Sequence, residues 1–185
     1  KKLHEKRFWH LLLRYQESLM GYESEADTPS FFLAEQGKTD PEAELKANIR
    51  LLLSPEVPEG HEVHPQCRFP ARFRWLWEQL ELSNKNVPVF RCPEVIRFLN
   101  TMNPSRVSLV FASAFLNAPP SMYGHTFLRF DNAKHPDTLM LSNIINFAAN
   151  PTTSNPLAYT VLGIFGGFGG RFAGMPYYVK IREYS

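Results

Sequence analysis

The sequence predicts an α+β protein, a helical N-terminal region followed by a small antiparallel sheet. Three observations carry the prediction. Up to about residue 104, amphipathic stretches alternate with starts marked by proline and capping side chains. Beyond that point the apolar residues fall into short runs with partial two-residue alternation, bounded by turn residues. A hydrophobic fraction of 44% with 14% aromatics is enough to build a packed interior, which a disordered chain would lack.

Residues 2 to 20 read as one amphipathic helix, with Trp9, Leu12, Leu13, Gln16, Leu19 and Met20 near one face and Gly21 as its stop. Residues 22 to 40 read as loop, with Phe31-Phe32-Leu33 as a buried plug. Thr39-Asp40-Pro41-Glu42 is a helix start: a capping side chain, a proline in the first turn, and acids at the positive end of the dipole. That helix should end near Leu53, before Ser54-Pro55. A polar loop to Gln66 leads to a helix from Pro70 to about Leu82, and a shorter one follows Pro93, closed by Asn103-Pro104.

Val107 to Phe111 then reads as a strand, and the runs Tyr123 to Asp131 and Leu139 to Ala148 as an antiparallel pair. Leu157 to Phe165 suits helix or buried extended chain. Gly166, Gly167, Gly169 and Gly170 mark a tight loop, and Tyr177 to Ile181 reads as a last strand. The domains expected are 1–104 and 105–185. The chain stops at Glu183-Tyr184-Ser185 directly after that expected strand, so a piece of a longer polypeptide is anticipated.

Composition excludes several functions. A net charge of +2 without clustered cations gives no nucleic-acid footprint. No run reaches the roughly 18 apolar residues of a membrane-spanning helix. Lys1 to Glu5 contains no signal core, which leaves a cytosolic protein or one numbered after signal removal. Cys67 and Cys92 would bridge in an oxidising compartment and remain thiols in a reducing one.

The segment Ser121-Met122-Tyr123-Gly124-His125-Thr126 is the best candidate for chemistry. A histidine entering a strand after glycine is presented with little cover and titrates near neutrality, as a general base must. Asn146 on the next strand can bond a ring nitrogen and fix the tautomer. The same spacing also suits a half-buried strand histidine and a turn-capping amide. His61 and His64 lack a third metal ligand, and no cofactor is expected. Arg68, Arg72 and Arg74 read as a solvated face paired with Glu78 and Glu81.

Five segments in order, Gln66 to Arg72, Ser121 to Arg129, Ile145 to Ala149, Gly163 to Gly167 and Met175 to Tyr178, resemble the bacterial Lnb N-terminal periplasmic domain family, long catalogued as a domain of unknown function. The first hundred residues resemble the helical region that commonly precedes it. The resemblance implies a Gram-negative envelope location, periplasmic or outer-membrane-associated, with a signal peptide removed. It therefore favours a Cys67–Cys92 disulfide. It also implies a distant relation to permuted papain-like (NlpC/P60-like) thiol hydrolases and acyltransferases, and hence an incomplete papain-like domain. His125 matches the family's histidine. No cysteine follows it here, so the nucleophile is expected beyond Ser185, on the remainder of the polypeptide.

Three functions follow as expectations. One is a thiol-dependent hydrolase or acyltransferase of the envelope, acting on amide or ester bonds. A second is a non-catalytic module that docks on an outer-membrane or other envelope protein through residues 163 to 170. The third is a site of unpermuted papain order, Cys67, His125 and Asn146.

Overall fold

The computed structural model describes residues 2–113, 125–135, 137–149 and 152–182. It is an α+β structure with seven α-helices and two antiparallel sheets among the described residues. The chain divides into two compact units, Lys1–Ile96 and Arg97–Ser185.

In the first unit, α1 (Arg7–Leu13) is shorter than expected and gives way to a hairpin of β1 (Tyr15–Ser18) and β2 (Gly21–Ser24). Arg14 takes a left-handed conformation that stops the helix, and the Ser24 hydroxyl donates to the Leu13 carbonyl that the helix would have used. Ser18 pairs with Gly21, so Leu19 and Met20 form the two-residue loop and stand fully in solvent. The helical period had placed both on a buried face. Only a glycine at φ +122° just past that loop marks the reversal in the sequence.

The next helix forms as expected. In α2 (Pro41–Leu52) the Asp40 carboxylate accepts from the Glu42 and Ala43 N–H groups, each at 2.9 Å, and Pro41 occupies the first turn. Two further helices, α3 (Pro65–Arg68) and α4 (Pro70–Gln79), lead toward α5 (Pro93–Met102). The core gathers Leu3, Trp9, Leu13, Tyr15, Leu45, Leu52, Phe69, Trp75 and Leu76, with the Phe31-Phe32-Leu33 plug packed partly buried against it. Trp9 stacks on Trp75 at 5.3 Å and donates its indole N–H to the Pro41 carbonyl.

Arg72 is not on a solvated face. It is buried, bonded to the equally buried Glu44 at 3.0 Å and sandwiched between the Phe31 and Phe69 rings. Glu44 also accepts from the Leu33 and Ala34 N–H groups and from Asn48. A carboxylate so fully bonded can stand buried beside a guanidinium, because each charge finds several partners. Burial pulls the Arg72 pKa down to about 10, which leaves it charged at neutral pH. Arg74 alone of the three cations meets its expected partner, Glu78.

The second unit holds a four-stranded sheet in the order β3 (Pro104–Ala112), β4 (His125–Asn132), β5 (Asn143–Ala149), β6 (Gly170–Pro176). Between β5 and β6 lies α6 (Pro156–Ile164), and α7 (Tyr177–Ile181) follows β6. Two expectations fail here. The last strand is β6, where glycines had suggested only a loop: it pairs with β5 from Asn143↔Pro176 to Ala149↔Gly170. At its first residue the Gly170 backbone lies close against the Phe147 ring, which would have to move aside for a larger residue. Tyr177 to Ile181 is then helix, begun by Pro176.

Candidate functional site

Alternation along β4 turns His125, Phe127, Arg129 and Asp131 to one face of the sheet. On β5 the same face carries Ser142, at its entrance, with Ile144 and Asn146. This is the covered face: Phe127, Asp131, Ser142, Ile144 and Asn146 are all buried. The pairing of β4 with β5 runs only from Leu128↔Ile145 to Phe130↔Asn143. β4 nevertheless follows β3 to Ala112↔His125, and β5 follows β6 to Ala149↔Gly170. The sheet therefore forks, and the two residues singled out by sequence stand on opposite arms of the fork.

The His125 Nε2 meets the Asn146 Oδ1 across this fork. An amide oxygen only accepts, so this orientation of Asn146 suits the tautomer of His125 that carries its proton on Nε2. Asn146 is 5% exposed, so burial holds it in place, while His125 itself is half-buried. Phe127 flanks the imidazole at 6.2 Å between ring centroids, and Tyr177 of α7 packs on Phe127 at 6.1 Å.

Beyond these rings lies a polar cluster that sequence reasoning missed. The Arg129 Nε donates to Asp131 at 2.7 Å, and the Ser142 hydroxyl donates to the same oxygen at 3.1 Å. The hydrogen bond from Arg129 holds the Asp131 carboxyl below its ordinary pKa, and that bond in turn raises Arg129. Arg129 also lies over the Tyr177 ring at 5.3 Å. The signal was the two-residue period from 125 to 131, which puts four chemically unlike side chains on one covered face. The part of the candidate segment from Ser121 to Gly124 lies outside the described residues.

Cys67 and Cys92 form a disulfide. Cys67 therefore has no thiol to give, and a nucleophile of papain order at that position is ruled out. Gln66 holds the neighbouring chain: its amide donates to the Leu52 and Pro88 carbonyls and accepts from the Phe90 N–H. The His64 Nδ1 is engaged as the cap of α3, accepting from the Gln66 N–H at 3.2 Å. No group of three or more His, Cys, Asp or Glu among the described residues is placed to hold a metal ion. None of the described helices is long and apolar enough to cross a membrane.

Residues 1–79 match the model of a domain of unknown function (DUF7843), and residues 94–185 match that of the Lnb N-terminal periplasmic domain. No curated protein and no solved structure matches the chain.

Proposed function

Since residues 94–185 belong to the Lnb N-terminal periplasmic domain family, we propose that the chain is part of a thiol-dependent hydrolase or acyltransferase of the bacterial envelope, with His125 as general base. The observation that carries this reading is the contact between the His125 Nε2 and the Asn146 Oδ1. It orients the imidazole and leaves Nδ1 as the nitrogen that takes a proton, the division of labour a base-activated nucleophile needs.

The nucleophile is a cysteine thiol from outside these 185 residues, because both cysteines here are bridged. Nδ1 takes the thiol proton as sulfur attacks an amide or ester carbonyl. The imidazolium then returns that proton to the departing amine or alcohol, leaving a thioester. Water or an acceptor amine resolves the thioester and restores the thiol. Asn146 stabilises the imidazolium by keeping its bond to Nε2 throughout. The likeness to permuted papain-like thiol enzymes supports the assignment as analogy, since fold kinship alone does not fix activity.

The test is made on the full-length protein with envelope lipoproteins and peptidoglycan fragments as substrates. Iodoacetamide should abolish acyl transfer or hydrolysis, and His125→Ala should abolish it with the fold intact. Turnover that survives both treatments removes the reading.

A further inference from the structure

We infer that α6 and the glycine loop after it form a membrane-contact element, seated on the surface of an anionic phospholipid bilayer.

Leu157, Val161 and Ile164 lie at i, i+4 and i+7, on one stripe of α6, and all three are exposed. Leu157 and Ile164 show about three-quarters of their surface to solvent, at 76% and 74%, and Phe165 shows 82%. A stripe of this kind normally faces a core. Here the side of the helix that is partly covered is the one carrying Ala158 and Leu162.

The element is locally built and does not depend on its apolar tip. Asn155 caps the helix by accepting from the Leu157 and Ala158 N–H groups. Its C-terminus closes in a Schellman turn: Gly166 is left-handed at φ +69°, and the Gly167 N–H bonds the Leu162 carbonyl at 2.7 Å. Phe168 folds back onto Tyr159 at 5.3 Å, which fixes the loop against the helix. With helix and loop held this way, Leu157, Val161, Ile164 and Phe165 point outward as a preformed apolar ridge.

Charge selects the occupant. From Thr138 to Gly170 the sequence has no Asp, Glu, Lys, Arg or His, so the ridge can enter an interface without dehydrating an ion. Residues 97–185, which carry it, hold seven Lys and Arg against three Asp and Glu, a net +4. Residues 1–96 hold thirteen against fifteen, a net −2. The apolar ridge thus belongs to the basic half of the chain, and the exposed Arg171 directly follows its loop. An uncharged apolar ridge on a cationic background is the pattern that anionic headgroups over acyl chains attract, and a periplasmic domain has such leaflets beside it.

The experiment is flotation of the 185-residue chain with vesicles of phosphatidylglycerol and phosphatidylethanolamine, and in parallel with phosphatidylcholine alone. The chain should float with the anionic vesicles, more weakly with the neutral ones, and less as salt is raised. Leu157→Asp and Ile164→Asp should each lower partitioning by about tenfold or more, given the apolar surface they withhold. Arg171→Glu should lower it on anionic vesicles only. Circular dichroism unchanged from the parent confirms that these exposed positions were altered without unfolding. A parent chain that stays at the bottom of the gradient overturns the inference, as does an Ile164→Asp variant that floats equally well. A parent that does not float but forms a dimer that Ile164→Asp dissociates also overturns it, since the ridge then covers a second copy.

Discussion

The His125 imidazole and the Asn146 amide meet through Nε2 and Oδ1, although the strands that carry them are no longer paired at that level. Such a contact favours the tautomer with its proton on Nε2. In nitrogen-detected NMR of the chain, His125 should show a single Nε2-protonated form, and Asn146→Ala should release a mixture of both. In the full-length protein His125→Ala should cost about 10² to 10⁴ in turnover, the usual worth of a general base, and Asn146→Ala less. A mixed tautomer in the parent chain would remove the orienting role of Asn146.

The disulfide closes a loop of sequence separation 25 in the first unit. Alkylation of the denatured, unreduced chain should find no free thiol. Cys67→Ser with Cys92→Ser should destabilise the first unit by about 3.5 kcal/mol by the loop-closure relation, read as a shift in the urea midpoint of Trp fluorescence. All three tryptophans, Trp9, Trp75 and Trp77, report on that unit alone.

Removing one partner of the Glu44–Arg72 pair strands the other in the interior. Glu44→Ala should therefore cost about 3–5 kcal/mol, many times the effect of breaking the exposed Arg74–Glu78 pair by Glu78→Ala. Equal losses in the two variants, measured by denaturant unfolding, would contradict the burial of the pair.

Asp131 ionises more readily in the folded protein than in the unfolded chain, because Arg129 donates to it. A carboxyl depressed in this way stabilises fully above its unfolded pKa of about 3.9, and the contribution is lost as pH falls through the folded value. The protection of β4 and β5 amides, measured against the intrinsic exchange rate at each pH, should fall below about pH 4. In Asp131→Asn that acid dependence should flatten.

His64 has the opposite chemistry and the same sign. Burial lowers its pKa, so as pH falls below about 6.5 the unfolded chain takes up the proton first and the folded state loses ground. Protonation at Nδ1 would also abolish the bond accepted from the Gln66 N–H. The thermal midpoint of the first unit should drop between pH 7 and pH 5.5, a range that straddles that ordinary value of about 6.5, and His64→Asn should reduce the drop.

Much of the architecture was legible because it is written in local chemistry. Asp40-Pro41 fixes the start of α2, Asn103-Pro104 the end of α5, and the alternation from His125 to Asp131 a strand with a covered face. What escaped depends on contacts remote in sequence. The β1–β2 hairpin is held by Ser24 reaching Leu13, and β6 by its pairing with β5 on the far side of α6. The burial of Arg72 was invisible because its partner, Glu44, sits on another helix 28 residues away and looks like any surface acid of a helix first turn. At the site, His125 and Asn146 could be paired on paper and Arg129 with Asp131 by strand period, but Tyr177 joined Arg129 and Phe127 only through the fold of α7.

The four-stranded sheet carries hydrocarbon on both faces. Val107, Leu109, Phe111, Phe147 and Phe172 look outward, while Asp131, Ser142 and Asn146 are tucked beneath with Phe127 and Ile144. Exposed hydrocarbon of this kind binds reporter dyes such as anilinonaphthalene sulfonate and drives sticking between molecules as concentration rises. Anyone who purifies this polypeptide should therefore expect its solubility to be limited by that surface, and a surfactant or a charged substitution at Leu109 to relieve it.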